Sequence, residues 1–218
     1  MALPLLFQPY PQHLRKEELS NPFKVINDFF SDHYMDEAKD LINKWIKFSN
    51  RKQQWRETSP SFLLSYYEQI CGIIEASWII QQIDSAERLA DLSPLNLGVA
   101  ELCQSDFYCS HRFRKNHWDD FPRTLKWKEY INPYIALSKF FRYQGLAEWK
   151  RDIHSLLHLA LSKCKMDGGE VDLLNVSMHL NKLIEACHLV HVREFEWIDS
   201  EMAFKEIKQI EKNRRPKL

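Results

Sequence analysis

The stretch LAEWKRDIHSLLHLALSKCKMDGGEVDLLNVSMHLNKLIEACHLVHV, residues 146–192, decides the fold class. Its apolar residues recur every three or four positions on both sides of Gly168–Gly169, which is typical of two amphipathic helices joined by a turn. The second helix also carries Leu174, Met178 and Leu189 away from its main stripe. A helix that is apolar on two faces is typical of the centre of a bundle, and we expect this one there.

Four further helix starts are marked by a capping side chain followed by proline, at Asn21-Pro22, Ser59-Pro60, Ser93-Pro94 and Asn132-Pro133. Proline is tolerated at the first helical position because the N–H there has no intrahelical acceptor. The whole pattern predicts a short helix from Pro94 and longer ones near 22–31, 33–49, 60–82, 133–144, 146–165, 172–192 and 200–213. The predicted fold class is therefore all-α, an irregular multi-helix bundle with one long aromatic-rich loop within 106–130.

The length of 218 residues suits a single domain, and we predict one helical domain over 1–218. Within it, residues 1–20 are expected to form an extended N-terminal strap and residues 213–218 a basic tail. Only five glycines are present, with no GxGxxG or GxxxxGK[ST] pattern, which argues against the common nucleotide-phosphate loops. The formal net charge is zero, which argues against a general polyanion-binding surface.

The five cysteines are odd in number and show no CxxC spacing, which indicates reduced thiols in a cytoplasmic protein. The N-terminal apolar run is short and interrupted by prolines, so neither a secretory signal nor a membrane association is expected. His154 and His158 lie one helical turn apart and could share a metal, but zinc-finger and HExxH spacings are missing. The sequence predicts no metal and no cofactor.

Glu185 and His188 form the first pair of candidate catalytic residues. On a helix they share the second face of residues 172–192 with Asn181. A carboxylate beside an imidazole on a largely apolar face could serve as an acid–base or ligand pair. The structural alternative is that each side chain is bonded within its helix or to another helix.

Arg151 and His158 form the second pair, with six residues between them. This spacing resembles the arginine-to-histidine motif of the HEPN family, whose active members place four to six residues between the two; Arg112 and His117 match the four-residue form. The resemblance covers this short motif alone. It implies a metal-independent ribonuclease in which Arg151 and His158 converge on a phosphodiester, with RNA as the partner.

The loop is the predicted ligand-binding site, because it concentrates cations and aromatic rings in a chain without net charge. Its candidate residues are His111, Arg112, Arg114, His117, Trp118, Asp119, Asp120 and Arg123. We expect the cations to contact an anionic ligand or an acidic protein surface, and Trp118 to be a buried anchor of the segment. The alternative is a purely structural loop held by Arg–Asp pairs and by Trp118 and Phe121.

These observations favour a helical binding or interaction protein that is not an enzyme, with the HEPN-like ribonuclease as the alternative. The sequence identifies neither the ligand nor the partner, and it leaves a homo-oligomer open.

Overall fold

The computed structural model describes residues 10–51, 53–83, 88, 90–95, 97–110, 117–162 and 171–196, with the backbone alone at His117 and Glu196. Over these residues the protein is all-α without any strand, which confirms the predicted fold class. The α-helices are α1 (Lys16–Ser20), α2 (Pro22–Asp32), α3 (Met35–Ser49), α4 (Pro60–Ile80), α5 (Val99–Leu102), α6 (Trp127–Ile131), α7 (Pro133–Tyr143), α8 (Leu146–Leu161) and α9 (Leu173–His191). Three-residue and four-residue 3₁₀ turns lie at Ser93–Leu95, Ser105–Phe107 and His117–Asp120, and a π-helical turn over Val192–Glu196 continues α9.

Six of the predicted helices, which correspond to α2, α3, α4, α7, α8 and α9, are present close to their expected bounds. The structure differs from the expectation in the strap, where Lys16–Ser20 form a helical turn in place of extended chain. It also differs at Pro94, which lies in a 3₁₀ turn of three residues. The predicted helix 200–213 and the basic tail 213–218 lie outside the described residues.

Two of the proline-marked helix starts show the expected capping hydrogen bond. The Ser59 hydroxyl accepts a hydrogen bond from the Phe62 N–H at 3.1 Å, and the Asn132 side chain accepts one from the Tyr134 N–H at 3.0 Å. These bonds satisfy N–H groups that have no acceptor inside their helix. At Asn21 the side chain makes no capping bond, so Pro22 alone marks the start of α2.

The bundle is organised around α3, α4 and α9. Helix α3 packs against α8 and α9, α4 packs against α2 and α8, and α9 also packs against α2 and α7. The main core contains large side chains that are fully buried, among them Trp45, Tyr66, Tyr134 and Trp149. Together they form one continuous apolar core that joins all the long helices.

The central position predicted for α9 holds for its second half only. From Ile184 to His191 every residue is buried. Leu174 and Met178, by contrast, are 71% and 51% exposed, so the second apolar group expected on this helix is divided. Only Leu189 of that group is buried, because the amino half of α9 is covered on the side of Val176 and Leu180 and not on the side of Leu174 and Met178.

A second, smaller apolar cluster packs the irregular middle of the chain against the helices. This cluster combines Leu92, Leu102, Phe107 and Tyr108 with Tyr130 of α6. Beneath it the fully buried guanidinium of Arg193 donates hydrogen bonds to the carbonyls of Phe107, Ala90 and Tyr130 at 2.9, 3.2 and 2.7 Å. A single arginine thus satisfies carbonyl groups that have no helical partner.

Candidate functional site

The segment 117–125 is held against the bundle by the carboxylate of Glu185, which is fully buried on α9. Its Oε2 accepts hydrogen bonds from the Thr124 N–H and hydroxyl, both at 2.7 Å, and from the Leu125 N–H at 3.2 Å. Its Oε1 accepts a hydrogen bond from the Lys39 ammonium of α3. We call this arrangement the Glu185 clamp; it joins α3, α9 and the segment through one buried charge.

In the 3₁₀ turn His117–Asp120, Trp118 does not occupy the buried position that the sequence predicted for it. This side chain is 61% exposed and is not a buried anchor, whereas Asp120 is 1% exposed. The ring of Phe121 fills the apolar position instead, with its centroid 5.0 Å from that of Tyr108 and 5.7 Å from that of Tyr130. Because residues three apart lie on one side of a 3₁₀ turn, Trp118 packs on the outer edge of Phe121, at 5.8 Å.

Between this turn and α3 lies an open cleft of about 250 Å³, which we call the α3 groove. Its apolar floor consists of the buried Met35 and the half-buried Phe121. Its remaining lining residues are polar or charged: Asp36, Lys39, Asp40, Asn43, Asp119 and Arg123. An apolar floor inside a polar rim is the usual composition of a protein-binding surface.

Carboxylates outnumber cations among the described residues that line the α3 groove. Both cations of this lining already make a bond within the protein. Lys39 is bonded to Glu185, and the Arg123 Nη2 donates to the Trp118 carbonyl at 3.4 Å. Asp40 is paired with Lys44 at 2.8 Å, in an exposed pair of the kind that contributes little. Three carboxylates thus line the rim together with Lys39 and Arg123, and Arg123 has no carboxylate partner among the described residues.

The structure describes half of the eight predicted ligand-binding residues in full. Asp119 and Arg123 line the α3 groove, Trp118 lies beside the groove against the ring of Phe121, and Asp120 is buried. His111, Arg112, Arg114 and the side chain of His117 lie outside the described residues.

Glu185 and His188 do not form a pair with each other. Glu185 belongs to the clamp, while the His188 Nε2 lies 3.0 Å from the Tyr108 carbonyl and its ring packs against Phe30 with centroids 5.2 Å apart. Both side chains are almost completely buried and each contacts a different segment. These contacts correspond to the structural alternative given above, in which each residue holds a separate part of the chain to α9.

Arg151 and His158 lie on the exposed side of α8 and do not line the α3 groove. The Arg151 Nε is 3.4 Å from a carboxylate oxygen of Asp152. The His158 Nε2 is 3.0 Å from the His154 Nε2, a distance at which one imidazole donates a hydrogen bond to the other. Burial, and then the charge of His158, lower the pKa of His154.

The α3 wall of the groove was not predicted as part of a site. Asp36, Asp40 and Asn43 are separated by four and three positions and form one exposed polar stripe on α3. That spacing is visible in the sequence. A polar stripe is, however, the normal solvent-facing side of any amphipathic helix, so the pattern alone does not indicate a site.

Comparisons of the chain with protein-family models, with curated proteins and with solved structures find no match. Within the described residues, no helix has both the length and the apolar character that crossing a bilayer requires. The same residues contain no group of three or more histidine, cysteine or acidic side chains placed to hold a metal ion.

Proposed function

We propose that the protein is a helical binding module that receives a segment of a partner protein in the α3 groove. The observation that carries this proposal is Trp118, an indole that is 61% exposed on a turn held from beneath. Tryptophan is enriched among the residues that dominate binding energy at protein interfaces. Asp120, Phe121 and the Glu185 clamp fix the backbone that carries it.

This fixed backbone favours binding because little order has to be created when the partner arrives. A flexible loop loses conformational entropy on binding, and that loss subtracts from the affinity. Here the backbone after Trp118 is already bonded to a buried carboxylate through the N–H groups of Thr124 and Leu125. The indole and the rim carboxylates are therefore preorganised with respect to each other.

The chemistry of the rim selects the partner. Asp36, Asp40 and Asp119 favour an arginine or lysine side chain, and the exposed face of Trp118 can stack on the same cation. The floor of Met35 and Phe121 accommodates an apolar side chain next to that cation. The acidic partner expected from the sequence depends mainly on Arg112 and Arg114, which lie outside the described residues, and it stays a prediction.

The test uses the full chain with a fluorescent label and two immobilised libraries of short peptides. One library fixes an arginine beside variable apolar residues, and the other fixes a glutamate there. We expect the wild type to bind the arginine library, and Trp118→Ala and the double variant Asp36→Asn/Asp40→Asn to lose this binding. Trp127→Ala is the matched control, because Trp127 is 41% exposed and stacks on Tyr130, whereas Trp118 packs on Phe121 of the groove floor.

Three results would contradict the proposal in different ways. Binding to the glutamate library that is lost in Arg123→Ala would assign an acidic partner and overturn the cation recognition. Equal loss of binding in Trp118→Ala and Trp127→Ala would overturn the groove as the site. No binding to either library would overturn the proposed function as a whole.

A further inference from the structure

A second cleft, of about 270 Å³, runs along one side of α7 and uses none of the residues of the α3 groove. Its polar lining consists of Arg88, Asn132, Tyr134, Ser138, Lys139 and Arg142, with Ile135 as an apolar wall. All three charged residues among them are cations. In a chain whose formal net charge is zero, this is a local concentration of positive charge.

Among the described residues, three carboxylates are bonded to residues of this cleft: Asp91 to the Asn132 side chain at 2.6 Å, and the buried Glu129 and Glu194 to Lys139 and Tyr134. The buried Glu129 accepts bonds from Lys139 at 2.7 Å and from the Lys126 N–H at 2.8 Å, and Lys182 lies 3.7 Å from it. Glu194, also buried, accepts bonds from the Tyr134 hydroxyl and the Ala90 N–H. Neither of them pairs with an arginine of the cleft.

Arg88 is held in one orientation without being neutralised. Its Nη2 donates to the carbonyls of Gln81 and Ile83 at 2.9 and 2.6 Å, and its guanidinium lies 4.9 Å from the ring centre of Tyr134. Its Nε is shielded from solvent and has no acceptor among the described residues. Because its contacts are a ring and neutral backbone carbonyls, Arg88 keeps its positive charge for an anion in the cleft.

Arg142 supplies a second free cation on the same cleft. Its side chain is exposed and makes no ion pair with any residue of the described ranges. Ser138 lies one turn before it on α7 and adds a hydroxyl. Two guanidinium groups and a hydroxyl around one cleft match the several acceptor oxygens of a phosphoryl group, and the ammonium of Lys139, bonded to Glu129, lies beside them.

We propose that the α7 cleft binds a phosphate monoester of small-molecule size, with Arg88 and Arg142 on the phosphoryl oxygens. Arg88 and Arg142 have no carboxylate partner among the described residues, and two such cations suit a dianion better than a single carboxylate. A volume of about 270 Å³ exceeds what the anion alone requires, and Tyr134 and Ile135 provide a wall for the organic part of the ester. The site is independent of the groove, so either proposal can fail without the other.

Isothermal titration calorimetry on the full chain tests this site with phenyl phosphate, inorganic phosphate and benzoate as probes. We expect phenyl phosphate to bind most tightly and benzoate most weakly. Arg142→Gln should weaken the binding of phenyl phosphate by about ten- to hundredfold, because it removes charge-assisted hydrogen bonds. Ser138→Ala should cause a smaller loss, and Arg151→Gln, an exposed arginine outside the cleft, should cause none.

Three results would contradict this proposal. Equal affinity for phenyl phosphate and inorganic phosphate would assign the cleft to free phosphate and overturn the monoester. No heat of binding with either phosphate, or an equal loss in Arg142→Gln and Arg151→Gln, would overturn the site. Arg142 is exposed and makes no bond with the described residues, so its variant should fold normally, and a thermal melt checks this.

Discussion

Two fully buried carboxylates each attach an irregular segment of the chain to the bundle, one from α9 and one from α4. Glu185 of α9 holds the segment 117–125, as described above. Glu75 of α4 holds the N-terminal strap: it accepts hydrogen bonds from the Gln12 N–H at 2.8 and 2.9 Å and from the His13 N–H at 2.6 Å. In each case a charge inside the bundle supplies acceptors for N–H groups that have no secondary structure.

The two sites differ in the partners that balance the charge. The ammonium of Lys150 is buried with Glu75 at 2.9 Å, and the imidazole of His13 lies 3.0 Å away. At Glu185 the one cation is Lys39, whose side chain is 18% exposed, and the other donors are neutral. The strap is thus held by titratable and fully buried charges, and the segment 117–125 mainly by neutral hydrogen bonds.

The largest effect that follows from this difference is the loss of Lys150. We expect Lys150→Met to lower the free energy of unfolding by about 3–5 kcal/mol, because it leaves a buried carboxylate without its cation. Lys39→Met should cost less, about 1–2 kcal/mol, since Glu185 keeps three neutral donors and solvent reaches Lys39. Urea unfolding of both variants measures the comparison.

A double variant separates charge from packing at the same site. In Glu75→Gln/Lys150→Met no ion is buried, yet a carbonyl oxygen remains for the strap N–H groups. We expect this variant to recover part of the stability that Lys150→Met loses. Equal losses of unfolding free energy in Lys150→Met and Lys39→Met, or no recovery in the double variant, would show that the Glu75 and Glu185 sites do not differ as described.

The next effect is at Glu185 itself. We expect Glu185→Gln to cost about 2 kcal/mol, because an amide keeps an acceptor for Thr124 and Leu125 but loses the charge that Lys39 requires. It should also weaken peptide binding in the α3 groove, since the turn that carries Trp118 loses part of its support. Trp118→Ala should do the reverse: it should abolish that binding and change the unfolding free energy by less than about 1 kcal/mol.

A smaller effect is the dependence of stability on pH. Burial alone would raise the pKa of Glu75, but hydrogen bonds from His13, Lys150 and the strap backbone lower it below 4.5. The pKa of His154 is likewise below its ordinary 6.5. In both cases the unfolded chain binds more protons, so stability is full above the ordinary pKa and falls as the pH drops towards the folded value.

Thermal melts from neutral to acid pH measure this profile. We expect the melting temperature to begin falling near pH 6.5, by a small step because His154 is half exposed, and to fall again below pH 4.5. Glu75→Gln should remove its share of the acid step and leave the step at higher pH unchanged. A melting temperature that rises as the pH is lowered through this range would contradict the assigned directions.

The helices could be predicted from the sequence because their signals are local. Ser59-Pro60 marks the start of α4, and the apolar period of 146–192 predicts α8 and α9. The site could be predicted only in part. The turn with Trp118 was identified, but the exposure of the indole depends on which ring fills the space between Tyr108 and Tyr130.

The clamp could not be predicted, for a related physical reason. Glu185 lies 146 residues from Lys39 and 61 from Thr124 along the chain. No local period encodes a contact across such a separation. A glutamate on the second face of a helix suits a catalytic pair as well as a buried hydrogen-bond acceptor, and only the folded arrangement distinguishes the two.

The smallest expected effect lies on α8, the same helix that carries Lys150. His158 is exposed and its imidazole contacts His154, so His158→Ala should change the unfolding free energy by less than about 1 kcal/mol. It should raise the pKa of His154, measured by NMR titration, because the neighbouring charge that lowers that pKa is removed while the burial remains.

Incubation of wild type and variant with single-stranded RNA and a chelator tests the ribonuclease alternative at the same time. As a binding module, the wild type should leave the RNA intact, and His158→Ala should behave identically. RNA cleavage by the wild type that disappears in His158→Ala and in Arg151→Gln, with both variants folded, would instead assign α8 as a catalytic helix. Lys150 and His158 would then divide this helix into a buried half that holds the strap and an exposed half that performs chemistry.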